Sequence, residues 1–368
     1  MNTSVWISLP LLPILSKNTL HATPPQIATI ISIYVIFSRF LLPIGGVFVT
    51  YKGVKLAIIL GSFMRICAYL LYGFTESFYS WCFASCLWGI GGALFFDPAV
   101  YTIFGSTPSE NKRRPFIMVN QALNIGVLVG AFLGGMFVKS SNLAPFIAST
   151  VLVSLCSLIA FFKVTPKYDV VEKNKAESMI KLLGMCLKNK NLRLIMIILV
   201  LVNIVLIQIS VGFPLLFTKS GFSSSDLSLS MIAKGAISIL MIAFAYKIFE
   251  KFPPILLIGI GVVLAAIGMN VPILNPNLIT LILGLIVFTI GETLILPASD
   301  IFINEKTGKN EVIALRFSLA QFAIGIGAFL GSFVGSYYFE RSLYESYQYL
   351  FIIIALFPLF LCLNTFKR

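Results

Sequence analysis

The chain has 368 residues, 58% hydrophobic and 11% charged, with a mean hydropathy of +0.97. A soluble domain typically carries about 25% charged residues, so this composition excludes a cytosolic enzyme, a secreted disulfide scaffold, a disordered chain and a nucleic-acid-binding domain together. The net charge of +13 does not point to nucleic acid either, because the 27 Lys and Arg punctuate long apolar runs, the pattern of a multispanning membrane protein.

In chain order, a window of about 20 apolar residues predicts one short segment followed by eleven full spans. Span 1 is the short one, Val5 to Leu15. Spans 2 to 6 run Ile27 to Val49, Leu56 to Phe74, Phe78 to Phe104, Phe116 to Val138 and Pro145 to Phe162. Spans 7 to 12 run Leu194 to Phe217, Leu227 to Phe249, Ile255 to Ile273, Leu278 to Phe302, Val312 to Phe339 and Tyr347 to Leu363. The one long polar connection, residues 163–193, separates an N-terminal six-helix lobe, 1–162, from a C-terminal six-helix lobe, 194–368. The expected fold is therefore all-α and membrane-embedded.

Lysine and arginine are retained on the cytoplasmic side. With the N-terminus inside, the inner loops and tail hold 19 basic residues and the outer loops four. Both termini and the central connection are expected inside the cell. Within that connection, Lys173 to Leu183 is basic with an apolar side, either a helix lying on the inner leaflet or a solvated linker. The six cysteines show no paired spacing, and the single histidine, His21, sits in a polar loop, so no metal site or cofactor is called for.

The halves repeat. Gly130-Ala131-Phe132-Leu133-Gly134-Gly135 recurs as Gly327-Ala328-Phe329-Leu330-Gly331-Ser332, an offset of 197. Pro98-Ala99 matches Pro297-Ala298 at 199, and Leu9-Pro10-Leu11-Leu12 matches Phe213-Pro214-Leu215-Leu216 at 204. Two lobes of the same orientation are the plan of a two-lobed secondary transporter. Applying the offset of 204 to span 7 leaves span 1 without its N-terminal half.

In span 5, Asn124, Gly126, Gly130, Gly134 and Gly135 resemble the fifth-helix antiporter motif of the major facilitator superfamily, particularly its bacterial drug:proton antiporters, with Ala131 at the usual proline position. Glycines four apart leave a groove into which a neighbouring helix can settle. Gly46, Gly53 and Lys55 match the family's loop between spans 2 and 3, but Thr50, Tyr51 and Val54 replace its charged residues, so its charge lock is mostly absent. Ser85 stands where many members carry an arginine linked to proton transfer. The resemblance implies a monomeric carrier that moves a small molecule across the cytoplasmic membrane in exchange for protons.

Charges inside apolar spans are costly and usually face a cavity or a partner. Glu292 in span 10, with no evident cation near it in sequence, is the first candidate for proton coupling, and Asp97 in span 4 is the second. Arg39 and Lys234, with the polar Asn203 and Gln208, are candidates for the substrate cavity. Arg65 and Asp97 lie at similar depth on consecutive spans and suit a salt bridge, structural or functional; Arg316 is expected to snorkel to the inner headgroups. No phosphate loop or hydrolase motif is present. Cargo stays open between amphipathic drugs, an anionic metal chelator, and none at all in a non-transporting relative.

Overall fold

A computed structural model describes residues 2–106, 113–164, 179–213, 216, 221, 234–241, 247–275, 277–307, 312–340 and 344–366. Most of span 8, residues 165–178 of the central connection, Pro214-Leu215 of the third repeat and the side chain of Asp97 lie outside the described residues. The described secondary structure is helical throughout, as an apolar chain must be when lipid offers its backbone no hydrogen bonds. Among the described residues, nine helices are long and apolar enough to cross a membrane, or ten if the bent pair Pro25–Phe40 and Leu42–Lys52 is one span.

Several spans depart from expectation. Span 1 is not confined to Val5 to Leu15: helix runs through Asn2–Ser8, a 3-10 turn at Leu9–Leu11, and Leu12–Leu20. Polar ends hid its length from a hydropathy window, yet Ser4, Ser8 and Ser16 are buried. Span 2 bends by 47° after Phe40. Pro43 lies at the first turn beyond the bend, where its missing N–H costs nothing. Span 4 passes through a π-helical turn, Phe96–Val100, around Pro98, whereas its counterpart Pro297 sits inside the unbroken helix Leu278–Lys306. The repeated Pro-Ala is thus accommodated in two ways. Span 5, with alanine in place of the family's proline, is one continuous helix, Arg114–Ser140. Span 7 runs as an α-helix to Leu206 and passes through a 3-10 turn, Ile207–Ile209, beyond which Gly212, Phe213 and Leu216 are again helical.

By spatial proximity the chain forms two compact units. The first holds Met1–Glu110, Ala122–Lys188 and Lys309–Phe322, and the second Asn111–Gln121, Asn189–Gly308 and Ala323–Arg368. In the first, Trp81, Trp88, Tyr69, Tyr72 and Phe146 form an aromatic core. Span 1 is tied in by Asn2 Nδ2 donating to the Leu123 carbonyl (2.6 Å), by Ser8 and Ser149 hydroxyls 2.8 Å apart, and by Ser149 donating to the Ser4 carbonyl (2.9 Å). The amphipathic helix Met179–Lys188 buries Leu182 and Cys186. Cys186 lies within electrostatic range of Arg316, which is 1% exposed rather than snorkelling.

The glycine faces carry the repeat. A Cβ at Gly130 would lie 2.6 Å from the Thr3 carbonyl oxygen and 2.7 Å from Trp6 Cβ, and one at Gly134 would lie 2.5 Å from the Ile7 oxygen. In the second unit, Gly327 meets Val200 and Asn203, and Gly331 meets Ile204. Thr3 and Val200, Trp6 and Asn203, Ile7 and Ile204 are each 197 apart, the glycines' own offset. The match at 204 therefore reflects composition, and span 1 corresponds to span 7 in a register seven residues different from that expected. A second repeat was not legible beforehand. Gly61 and Gly91 approach each other between spans 3 and 4, each added Cβ falling within 2.8 Å of the other's carbonyl, and Gly261 and Gly291 do the same between spans 9 and 10.

Candidate functional site

Glu292 does have a cation beside it. Span 10 carries Glu292 one residue beyond Gly291, whose close approach to Gly261 and Ala265 seats spans 9 and 10 backbone to backbone. From span 8, Lys234 reaches it with Nζ 2.7 Å from the carboxylate, both side chains about one-fifth exposed. The expectation that Glu292 lacks a local cation is corrected: the partner is 58 residues away in sequence and invisible to a local reading. Nor does Thr293 hold the carboxyl, since its hydroxyl donates to the Thr289 carbonyl at 2.7 Å on its own helix. A contact this short between opposite charges, partly shielded from water, is an ion pair that is neutral as a unit.

Asn203 is buried and donates to the Leu199 carbonyl (2.9 Å), its Cβ facing Gly327. Gln208 is fully buried and donates to the carbonyls of Ile204 (2.9 Å) and Gly331 (2.8 Å). Gln208 thus ties span 7 to span 11, whereas the Asn203 hydrogen bond stays within its own helix. Arg39 is exposed in the last turn before the bend of span 2. Asp97 belongs to the π-helical turn, and its side chain lies outside the described residues.

Of the span 5 motif, Gly126, Gly130 and Gly134 meet span 1, Asn124 is half-buried, and Gly135 is exposed with nothing within 4 Å of an added Cβ. In the loop between spans 2 and 3, Gly53 is needed for its φ of 86°. Gly46 meets Ser318 and Leu315 of span 11, and Lys55 places its ammonium 4.7 Å over the Phe161 ring. Ser85 shares a 2.6 Å hydrogen bond with the Tyr72 hydroxyl. The guanidinium within this helix pair comes instead from Arg65, 3% exposed beside Gly91 and Gly92 and 5.8 Å from the Phe95 ring centre.

Comparison with known proteins accords with this architecture. The chain is 30% identical over 158 residues to the multidrug efflux protein YfmO of Bacillus subtilis (strain 168), a match covering 43% of this chain and 39% of that one. It is 20% identical over 342 residues to the quinolone resistance protein NorA of Staphylococcus aureus (strain MRSA252), covering 91% and 86%. In structure it resembles the human organic anion transporter MFSD10 (TETRAN), with a TM-score of 0.83 at 14% identity, covering 98% and 96%. That likeness shows the fold alone. Residues 1–312 match the family described as Major Facilitator Superfamily, and the chain belongs to that superfamily of multispan membrane transporters.

Proposed function

We propose that this carrier exports a small molecule across the cytoplasmic membrane by alternating access coupled to inward proton flow, with Glu292 at the coupling site. The observation that carries the reading is the Lys234–Glu292 pair, a carboxylate and an ammonium 2.7 Å apart within the spans. A membrane-embedded acid is expensive to maintain and is by default a functional group, and its partner is named here. The efflux named in YfmO and the quinolone resistance named in NorA support export as the direction. The lobes 1–162 and 194–368 would rock about the connection at 163–193, both termini inside, and the chain would act as a monomer.

An anionic cargo drew its support from Arg39 and Lys234 as uncompensated cations. Lys234 is compensated, which leaves that reading resting on Arg39. Glu292→Gln keeps the shape and removes the charge, and it should abolish pH-gradient-driven accumulation in inverted vesicles. Full gradient-driven transport in Glu292→Gln would overturn the assignment and make Asp97 the leading acid.

A further inference from the structure

Resting on that reading, the geometry points to Lys234, rather than Glu292, as the group that gives up the proton when cargo binds, the cargo being a monovalent organic cation that takes the place of Lys234 on the carboxylate. In the empty site the tethered ammonium already fills the position a cationic cargo needs, 2.7 Å from Glu292. Cargo must therefore displace an internal competitor. If Lys234 stayed charged, two cations would crowd one carboxylate in a weakly polar setting. Among the described residues, the helices packed against span 10 offer nothing to absorb the excess: span 9, Pro254–Leu274, has no ionisable side chain, and those of span 7 are Lys190 and Arg193 at its inner end. On span 10 the nearest other charges are Asp300, hydrogen-bonded to Asn120 at 2.9 Å, and Glu305, paired with Arg113 at 2.6 Å.

The balanced step is simple. An N–H bond of the Lys234 ammonium breaks, its proton leaves to water on the side to which the site is open, and Glu292 keeps its negative charge for the cargo. The site is neutral before, as Glu⁻ with Lys⁺, and after, as Glu⁻ with cargo⁺ and neutral lysine. One proton leaves for each cation bound. Proton return to Lys234 on the other face expels the cargo and restores the pair.

Arginine and lysine differ in the one property this step needs, because a guanidinium does not deprotonate in a protein. Reconstituted vesicles, acidic inside, are given ethidium, a permanent cation that carries no exchangeable ammonium proton of its own. One-for-one exchange supports about a tenfold accumulation per pH unit. Wild type should approach that value. Lys234→Arg, which preserves the ion pair but cannot release a proton, should lose this gradient-driven ethidium accumulation, about tenfold per pH unit, whereas Lys234→Gln, which removes the proton carrier but vacates the carboxylate, should lose the accumulation and still allow downhill ethidium exchange.

If Lys234 is only a charge partner, Lys234→Arg keeps gradient-driven accumulation. That outcome, gradient-driven accumulation persisting in Lys234→Gln, or a Lys234→Gln that fails even downhill exchange would overturn the proposal. So would a wild type that moves the monoanion salicylate but not ethidium. Failure of the underlying reading has a separate signature, namely gradient-driven accumulation that persists in Glu292→Gln.

Discussion

Arg113 grips Glu305 across 192 residues of sequence, its Nε 2.6 Å from one carboxylate oxygen and its Nη2 3.2 Å from the other. Nη1 donates to the carbonyls of Phe249 (2.6 Å) and Phe252 (3.3 Å), so one guanidinium joins the start of span 5 to the ends of spans 8 and 10. Nearby, Asn120 donates to the buried Asp300. The loop between spans 2 and 3 has lost its charges at Thr50, Tyr51 and Val54, yet a charged tie exists at the start of span 5. A planar fork is suited to gripping a carboxylate and adjacent carbonyls at once.

Arg113→Gln should lower stability in detergent by about 2 kcal/mol, since it loses both the fork and the charged bonds to two carbonyls. Glu305→Gln should cost less, because the carbonyl bonds survive. Thermal unfolding of the two variants checks the order. Glu305→Gln proving the more damaging would mean that the carbonyl contacts contribute nothing.

The glycine face of span 5 yields a paired test. Gly130→Leu drives a branched side chain into the Thr3 and Trp6 backbone region, and overpacking of this kind costs about 1–3 kcal/mol. Gly135→Leu projects into open space. Transport normalised to membrane abundance should fall in the first and stay at wild-type level in the second. Gly327→Leu, in the corresponding contact with Val200 and Asn203, should behave as Gly130→Leu does.

Burial pushes the Cys186 thiol up to about 11, with the Arg316 guanidinium acting in the opposite sense. At pH 8 the thiol is therefore protonated and, at 4% exposure, shielded. A variant retaining only Cys186 should resist maleimide in the folded state at that pH and react once unfolded. Raising the pH toward 11 should increase its labelling. Rapid labelling of the folded protein at pH 8 would show that the helix Met179–Lys188 does not hold Cys186 against the bundle.

Orientation rests on the distribution of basic residues and is tested by single cysteines at His21 and Lys175. An impermeant reagent applied to intact cells should label the first and spare the second. The reverse pattern would place residues 163–193 outside and invert the direction of coupling.

Class, helical architecture and the glycine repeat were legible in the sequence because each rests on composition or short-range spacing: lipid demands apolar helices, and close packing demands glycines four apart. Sequence also singled out Glu292 and Lys234, since charge within an apolar run stands out wherever it falls. What pairs with what was decided by tertiary structure. Lys234 meets Glu292, Arg113 meets Glu305 and Gly130 meets Thr3 through helix neighbours far apart in the chain, so no local window contains both members. Asn203 and Gln208 looked like cavity groups because polarity in a span has two causes, cargo and helix-to-helix hydrogen bonding. In the fold Gln208 donates to Gly331 of span 11, while Asn203 donates to Leu199 of its own helix and packs on Gly327. The register of span 1 against span 7 was misread for a related reason. Leucine and proline runs recur by composition, whereas a backbone contact at a glycine admits one register.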